Sequence, residues 1–280
     1  MHFHRPQTLE DALACIADHP ARILAGGTDV FPSLGRSAVG EPVLDLGRIE
    51  ALRGISCRDG VWRIGAMTTW AQIAKTDLPA QFDGLRGAAR EVGSIQIQNA
   101  GTIAGNLCNA SPAADGVPPL LSLDADVELS GRAGTRILPL RDFITGVRKV
   151  ALEPGEIVSA ILVPDRAGTR ASFLKLGARR YLVISIAMVA VALDLDAGGA
   201  ISRAAVAVGS CSAVAARLGS LEAKLVGCAP DAAALSDLLG EEPFAELSPI
   251  DDVRASASYR REAVRELVVR AIVAAAKGGA

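Results

Sequence analysis

Apolar positions along the chain fall in short runs whose period switches repeatedly between helical spacing and alternation. Leu9, Ala12, Leu13 and Ile16 recur at helical spacing behind Thr8, which with Asp11 three residues later predicts an N-cap, and Pro20 marks the end. Short apolar stretches at 22–24 and 42–46, separated by a brief helical segment before Gly35, predict a β-α-β-like unit with a small, largely parallel sheet. ISCRDGVWRIG reads as a hairpin turning at Asp59-Gly60, Thr68 or Thr69 caps a helix over TTWAQIAKTDL, and Leu85, Ala88, Ala89 and Val92 share one face of a helix over 79–92. ADVELSGRAGTRILPLRDFI predicts two strands joined by a Gly-rich hairpin, and IVSAILVP another strand after the turn at Glu153-Pro154-Gly155-Glu156. A Pro, Asp and Gly cluster at 164–168 marks a linker. Beyond it come a strand over RASFLKLG, a long apolar strand ending in Asp194 and Asp196, a hairpin partner over ISRAAVAVGSCS, and helices over 213–225 and 230–239. A last helix capped by Ser258 turns Ala263, Leu267, Val268 and Ile272 inward and Arg261, Arg265 and Glu266 outward. The sum is an α+β chain.

One stretch obeys neither period. From Gly93 to Asp126, and most clearly from Asn99 to Asn109, small residues alternate with Thr102, Asn106 and Asn109, a composition unsuited to a long helix or an amphipathic strand. Two readings stay open for it. Gly101, Ala104 and Gly105 expose main-chain N–H groups to an anion such as a diphosphate, or the segment is a tight polar turn leading into the apolar run 117–123. Ala25-Gly26-Gly27-Thr28-Asp29, at the end of a short strand, is a second candidate anion cradle. Neither cluster has the G-x-G-x-x-G spacing or a G-K-[ST] ending.

Composition removes several function classes. Only 4% of residues are aromatic and the formal net charge is -2, so nothing marks a nucleic-acid surface. Cys15, Cys57, Cys108, Cys211 and Cys228 are odd in number and widely scattered, without zinc or iron-sulfur spacing. With no secretory pattern at the N-terminus they predict free thiols in the cytoplasm. The most apolar run, 181–193, is too short for a transmembrane segment. The histidines are His2, His4 and His19, which leaves no metal set, and with no G-x-S-x-G elbow an acyl-transfer hydrolase is disfavoured. Cys108 reads as a packed thiol, and Lys175 in the strand FLKLG points either to solvent or to a ligand.

Three blocks carry a resemblance to a known family: LAGGTDVFP at 24–32, NAGTIAGNLCNASPAADGVPPLLSLDA at 99–125, and RASASYRREAVRELVVRA at 254–271, supported by GAMTTWAQI and PGEIVSAILVP. In this order they resemble the FAD-binding (medium) subunit of the molybdenum hydroxylases, the family of xanthine dehydrogenase, aldehyde oxidase and aerobic carbon monoxide dehydrogenase. The resemblance implies a two-part FAD-binding domain of the molybdopterin dehydrogenase (PCMH-like) type over 1–165, with subdomains of about 1–55 and 56–165. A C-terminal domain with an antiparallel sheet and packed helices follows over 166–280. It implies a first pyrophosphate loop of Leu24, Ala25, Gly26, Gly27, Thr28, Asp29 and Val30, and a second of Gly101, Thr102, Ala104, Gly105 and Asn106. Cys108 and Asn109 are then expected along the cofactor, Ala114 and Asp115 at its adenosine portion, and Val158 and Lys175 at the isoalloxazine.

By the same resemblance the chain is an oxidoreductase subunit that binds FAD and no metal, and contributes no catalytic acid or base. A large molybdopterin subunit and a small [2Fe–2S] subunit are implied as partners in a dimer of heterotrimers. Electrons pass from the clusters to FAD and then to NAD⁺ or another acceptor, in the oxidation of a purine, another N-heterocycle, an aldehyde or CO. The alternatives are a self-contained FAD-dependent oxidoreductase and a non-catalytic assembly protein that retains the fold. Three departures stand out. Ala104 occupies a usual glycine position, Ile184 stands where some relatives place a Tyr against the flavin, and the four-cysteine insertion of some relatives is missing.

Overall fold

The computed structural model describes residues 2–18, 20–35, 40–240 and 244–278, so His19 lies outside the described residues. The N-terminal unit is a three-stranded parallel sheet in the order β1-β3-β2, built from β1 (Phe3–His4), β2 (Arg22–Leu24) and β3 (Val43–Asp45). Helix α1 (Leu9–Asp18) connects the first two strands, and its cap is the expected one, with the Asp11 amide donating to Thr8 Oγ1 at 3.1 Å. The five-residue helix α2 (Val30–Leu34) follows the β2 turn. The Gly26-Gly27 turn follows the C-terminal end of β2, an edge strand of this sheet.

The second unit begins with the hairpin β4 (Ile55–Arg58) and β5 (Val61–Gly65). Its turn residues Asp59 and Gly60 sit at φ 50° and 75°, the positive angles a two-residue hairpin loop needs. Thr69, with Gln72 as its capping-box partner, starts α3 (Trp70–Lys75), and α4 (Asp83–Glu91) buries Gly84, Leu85, Ala88 and Ala89. The helices α5 (Ile95–Ala100), α6 (Ile103–Asn109) and α7 (Val117–Ser122) come next, then the hairpin β6 (Asp126–Gly131) and β7 (Gly134–Pro139). A one-turn helix α8 (Leu140–Phe143) and the ribbon β8 (Ile144–Gly146) with β9 (Lys149–Val150) lead to β10 (Ile157–Pro164). Strand β10 is central in an antiparallel sheet of order β4-β5-β10-β6-β7, and its register slips between Val158 and Ala160.

The C-terminal unit is an antiparallel sheet of β11 (Arg170–Leu176), β12 (Ala187–Leu195), β13 (Ile201–Gly209) and the short edge strand β14 (Ala216–Arg217). Helices α9 (Gly219–Leu225), α10 (Ala232–Leu239) and α11 (Ala257–Ala276) complete it. Alternation sorts its residues by size. Val189, Val191, Leu193, Val206 and Val208 join Val264, Val268 and Ile272 of α11 in one core. Ala192, Ala205 and Ala207 belong to the core of the second unit, on the other face. Because both faces are covered, β12 reads as an unbroken apolar run. The small residues let the two layers approach closely: a Cβ on Gly84 of α4 would come within 2.9 Å of the Ser172 carbonyl oxygen of β11.

Four sequence expectations change. The stretch 99–109 is not open loop but the end of α5, an extended break at Gly101-Thr102, and α6. Two side-chain caps make such short helices tenable, Ser94 Oγ accepting from Ile97 N and Thr102 Oγ1 from Gly105 N. The helix expected over 79–92 opens with a separate turn of 3₁₀-helix at Ala80–Phe82. The helix expected from residue 213 starts only at Gly219, because Ala216 and Arg217 pair with β13 as an edge strand. The last helix is capped by Ser256 rather than Ser258, Ser256 Oγ accepting from Tyr259 N at 3.2 Å.

Candidate functional site

A cavity of about 460 Å³ opens between the N-terminal and second units, where the β2–α2 turn faces α6 and the start of β10. It is within the size range of small-molecule and cofactor sites. Ala25, Gly26, Gly27, Thr28, Asp29 and Val30 form one wall, and Gly101, Thr102, Ala104, Gly105, Asn106, Cys108 and Asn109 the facing one, with Val158 at the bulge of β10. Among the described residues no Lys, Arg or His lines it, and Asp29 and Cys108 are its only ionisable groups. Any anion bound there is held by backbone and hydroxyl or amide dipoles, not by fixed positive charge.

The two walls contribute differently. At the first, the amide N–H groups of Gly26, Gly27, Thr28 and Asp29 donate to no protein acceptor among the described residues. Gly27 takes φ 71°, which glycine adopts without strain, and the chain then enters α2, where Phe31 N donates back to Gly27 O at 3.1 Å. Asp29 precedes α2 without capping it, so its exposed carboxylate stays free at the rim. This is the run of unpaired donors that anions seek. At the second wall the donors are already used: Ile103 N donates to Thr68 O (3.0 Å), Ala104 N to Ala66 O (3.2 Å), Gly105 N to Thr102 Oγ1 and Asn106 N to Thr102 O. All five residues expected of the second loop, Gly101, Thr102, Ala104, Gly105 and Asn106, line the cavity. The second wall offers side chains and the Thr102 amide, while its remaining backbone pins α6 onto the turn after β5.

The glycines explain how the walls meet. A Cβ on Gly26 would lie 1.9 Å from the Ala100 carbonyl oxygen, so main chain touches main chain across the cavity floor. A Cβ on Gly105 would meet only the Thr102 hydroxyl at 2.8 Å and, more loosely, Ala25. Asn106 Oδ1 is sealed without any donor, an orphan acceptor in the cavity wall. Asn109 is fixed by Arg148, whose guanidinium donates to Asn109 O at 3.0 Å and to its side-chain oxygen. Burial pushes the Cys108 thiol up to about 12, which keeps it protonated and unreactive.

Not every expected residue reaches this cavity. Leu24 is buried behind the turn, its carbonyl accepting from Leu46 N. Ala114, Asp115 and Lys175 lie away from the lining, and Asp115 and Lys175, expected at a ribose and at a flavin, are paired with each other. Lys175 Nζ donates to Asp115 Oδ2 at 2.6 Å and to Glu91 O at 3.2 Å, Ser185 Oγ donates to Asp115 Oδ1 at 2.6 Å, and both charged side chains are less than 10% exposed. Burial pushes the Asp115 carboxyl up, against the pull of the Lys175 ammonium and the Ser185 hydroxyl. Ile184 is exposed, and the nearby Tyr181 carries the Arg180 guanidinium 5.5 Å from its ring centre. Sequence reasoning missed the apolar lining, which includes Ile23, Leu46, Met67, Trp70, Val92, Ile97 and Leu152. In sequence these residues look like any core positions.

The residues present suit a dinucleotide: unpaired amides for a diphosphate, and apolar walls for its ring systems. Among the described residues no group of His, Cys, Asp and Glu is placed to hold a metal ion, and no helix is long and apolar enough to cross a membrane. Residues 1–166 match the family model described as FAD binding domain in molybdopterin dehydrogenase, and residues 172–275 match CO dehydrogenase flavoprotein C-terminal domain. The chain is 31% identical to the xanthine dehydrogenase FAD-binding subunit of Escherichia coli O157:H7, over 99% of this chain and 97% of the relative. It is 33% identical to the carbon monoxide dehydrogenase medium chain of Afipia carboxidovorans, over 96% and 94%. Among solved structures, a reconstituted CO dehydrogenase from Oligotropha carboxidovorans superposes with a TM-score of 0.91 at 32% identity, covering 100% of this chain and 98% of that one.

Proposed function

Because the chain belongs to the FAD-binding medium subunits of the molybdenum hydroxylases, an oxidoreductase family, we propose that it holds FAD in the 460 Å³ cavity and relays electrons within a three-subunit enzyme. The observation that carries this reading is the row of four unpaired amides at Gly26, Gly27, Thr28 and Asp29 along one wall of the cavity. FAD supplies the redox chemistry when bound, exchanging electrons singly or in pairs. This chain's residues bind and orient it. The first wall donates backbone N–H groups to the diphosphate, and Thr102, Asn106 and Asn109 offer polar contacts along the second. Val158 and the apolar lining exclude water. Leu24 and Ala114 support the two walls from behind.

In this reading Asp115 and Lys175 form a buried brace, joining the loop before α7 to β11 and to the end of α4, and so tie the C-terminal unit to the second unit. The boundary between FAD-binding and C-terminal domains falls near residue 165. The partners are a large molybdopterin subunit and a small [2Fe–2S] subunit, assembled as a dimer of heterotrimers in the cytoplasm. The complex oxidises a purine, another N-heterocycle, an aldehyde or CO, with NAD⁺ or another acceptor receiving the electrons.

The test is to purify the chain alone and with its two partners. Stoichiometric FAD in the isolated chain, and flavin bleaching by substrate only in the full complex, are expected. Protein that takes up no flavin on reconstitution sinks the reading, and bleaching by substrate in the isolated chain would favour a self-contained oxidoreductase.

A further inference from the structure

Strand β10 breaks the alternation of its own sequence where it meets the cavity. Ile161 pairs with Val127 of β6, and Val158 pairs with Leu129. Residues paired directly across an antiparallel ladder leave the sheet on the same side. Val158 and Ile161 therefore share the inner side with Val127 and Leu129, all four buried in the core of the second unit. Strict alternation back from Ile161 would place Ser159 on that side and Val158 on the outer one. The bulge exchanges them. Val158 pairs with Leu129 and Ala160 with Glu128, which leaves Ser159 as the extra residue between. Val158 accordingly lines the cavity, and Ser159 does not.

On the outer side Ser159 finds polar partners. It is only 1% exposed, and its Oγ donates to Glu128 Oε1 at 2.7 Å and accepts from Ser130 Oγ at 3.0 Å. Arg63 Nη2 donates to the same Glu128 oxygen at 3.0 Å and reaches the Ser159 carbonyl at 3.4 Å. Among Val127, Leu129 and Ile161 the hydroxyl would have none of these contacts, and a buried hydroxyl without a partner is costly. A serine at this position thus favours the bulged strand over the regular one. The bulge is also tied to the second wall of the cavity. Ser159 O accepts from Ala66 N at 3.0 Å, Ala66 O accepts from Ala104 N at 3.2 Å, and both alanines line the cavity.

Resting on the FAD reading above, we propose that Ser159 is a positioning residue for the cofactor: its hydrogen bond to Glu128 stabilises the bulge that turns Val158 to the ligand. Ser159 itself touches no ligand. An apolar contact on the inner side of the sheet depends in this way on a polar contact made on the outer side.

The test uses the full chain, stripped of flavin and titrated with FAD. Val158→Ala removes two buried methyl groups from the lining and raises the FAD dissociation constant about tenfold. Ser159→Ala removes the hydroxyl that rewards the bulge, turns Val158 away and gives a loss of the same size. Because Ser159 acts through Val158, the double variant Ser159→Ala/Val158→Ala binds about tenfold more weakly than the parent, whereas two independent losses would multiply to about a hundredfold. Glu128→Gln keeps an oxygen acceptor for the Ser159 hydroxyl and retains the parent's affinity and the visible circular dichroism of its bound flavin. Glu128→Ala loses both. Should Ser159→Ala misfold, Glu128→Ala takes its place in the cycle, since the Glu128 side chain is partly exposed on the outer side. Unchanged FAD affinity in a folded Ser159→Ala, or losses that multiply in the double variant, overturns the proposal and leaves the FAD reading intact. A parent protein that takes up no FAD overturns the FAD reading and this proposal together.

Discussion

Gly26→Ala is the sharpest perturbation of the cavity, because it separates a need for glycine at the ligand from a need for glycine between the walls. The added methyl would lie 1.9 Å from Ala100 O, 2.7 Å from Ala100 C and 3.0 Å from Gly101 Cα, all of them backbone. Restoring a contact of 3.0 Å requires the walls to part by about 1.1 Å, the difference from the 1.9 Å approach. The opposing backbone cannot yield easily, since Gly101 O accepts from Trp70 N (3.2 Å) and Gly101 N donates to Ile97 O (2.6 Å). Overpacking of this kind costs roughly 1–3 kcal/mol, which lowers the melting temperature by about 2–4 °C per kcal/mol in a chain of this size. A displacement of that size also takes amide donors out of hydrogen-bonding range of a diphosphate. Loss of two charge-assisted bonds, each worth about 1.5–3 kcal/mol, weakens binding by roughly 10²-fold or more. The assay is thermal and urea unfolding of flavin-free protein, together with the flavin-to-protein absorbance ratio after reconstitution. Both fall in Gly26→Ala, while Gly105→Ala, whose methyl meets a rotatable hydroxyl, loses less. If flavin-free Gly26→Ala melts with the parent, the wall-to-wall contact is not what demands glycine and the reasoning fails.

Lys175→Met strands the Asp115 carboxyl in the interior and destabilises the flavin-free protein by roughly 3–5 kcal/mol, with part of the loss recovered in Asp115→Leu/Lys175→Met, as read by urea denaturation. Flavin loss in Lys175→Met without any loss of stability would show the lysine facing the cofactor instead. Thiol labelling of the native protein near neutral pH modifies exposed Cys57 quickly and leaves Cys108 intact, since burial pushes the Cys108 thiol up to about 12; rapid Cys108 modification, mapped by mass spectrometry, contradicts the packed site. Asp252 supports stability in a pH-dependent way: partial burial pushes its carboxyl up, but hydrogen bonds from Arg254, the Ala255 amide and Arg260 outweigh this and hold it well below its usual range. A depressed folded value means the contribution is complete above the unfolded carboxylate's range and is lost as pH falls below about 4, so the gap in melting temperature between the parent and Asp252→Asn narrows from pH 7 to pH 3.

Much of the fold was legible because local chemistry dictates it. Thr8 and Thr69 are helix caps, Asp59-Gly60 is a hairpin turn, and the long apolar run before Asp194 contains a strand, all decided within a few residues. The misread elements depended on partners distant in sequence. Ala216 and Arg217 become an edge strand only because β13 is there to pair with, and Arg217 then reaches Asp124 and Glu222. The glycine-rich segment was recognisable as unusual, but composition does not reveal whose N–H groups are spent. Ile103 and Ala104 give theirs to Thr68 and Ala66, 35 and 38 residues earlier. The apolar lining was invisible for a similar reason: a side chain facing a cavity and one facing the core obey the same pattern.

The difference between the two walls also accounts for Ala104. An extra methyl at a usual glycine position would be costly if the backbone there were left-handed. Ala104 instead lies in the first turn of α6, outside the positive-φ residues, and its amide is fixed on Ala66 O. A helical alanine is favoured over glycine by about 1 kcal/mol, so the substitution stiffens the wall that supplies side chains. The wall that must present bare amides keeps Gly26 and Gly27. Flexibility is thus retained only where backbone conformation and close approach require it, and the wall opposite is a capped helix that holds Asn106 and Thr102 in place.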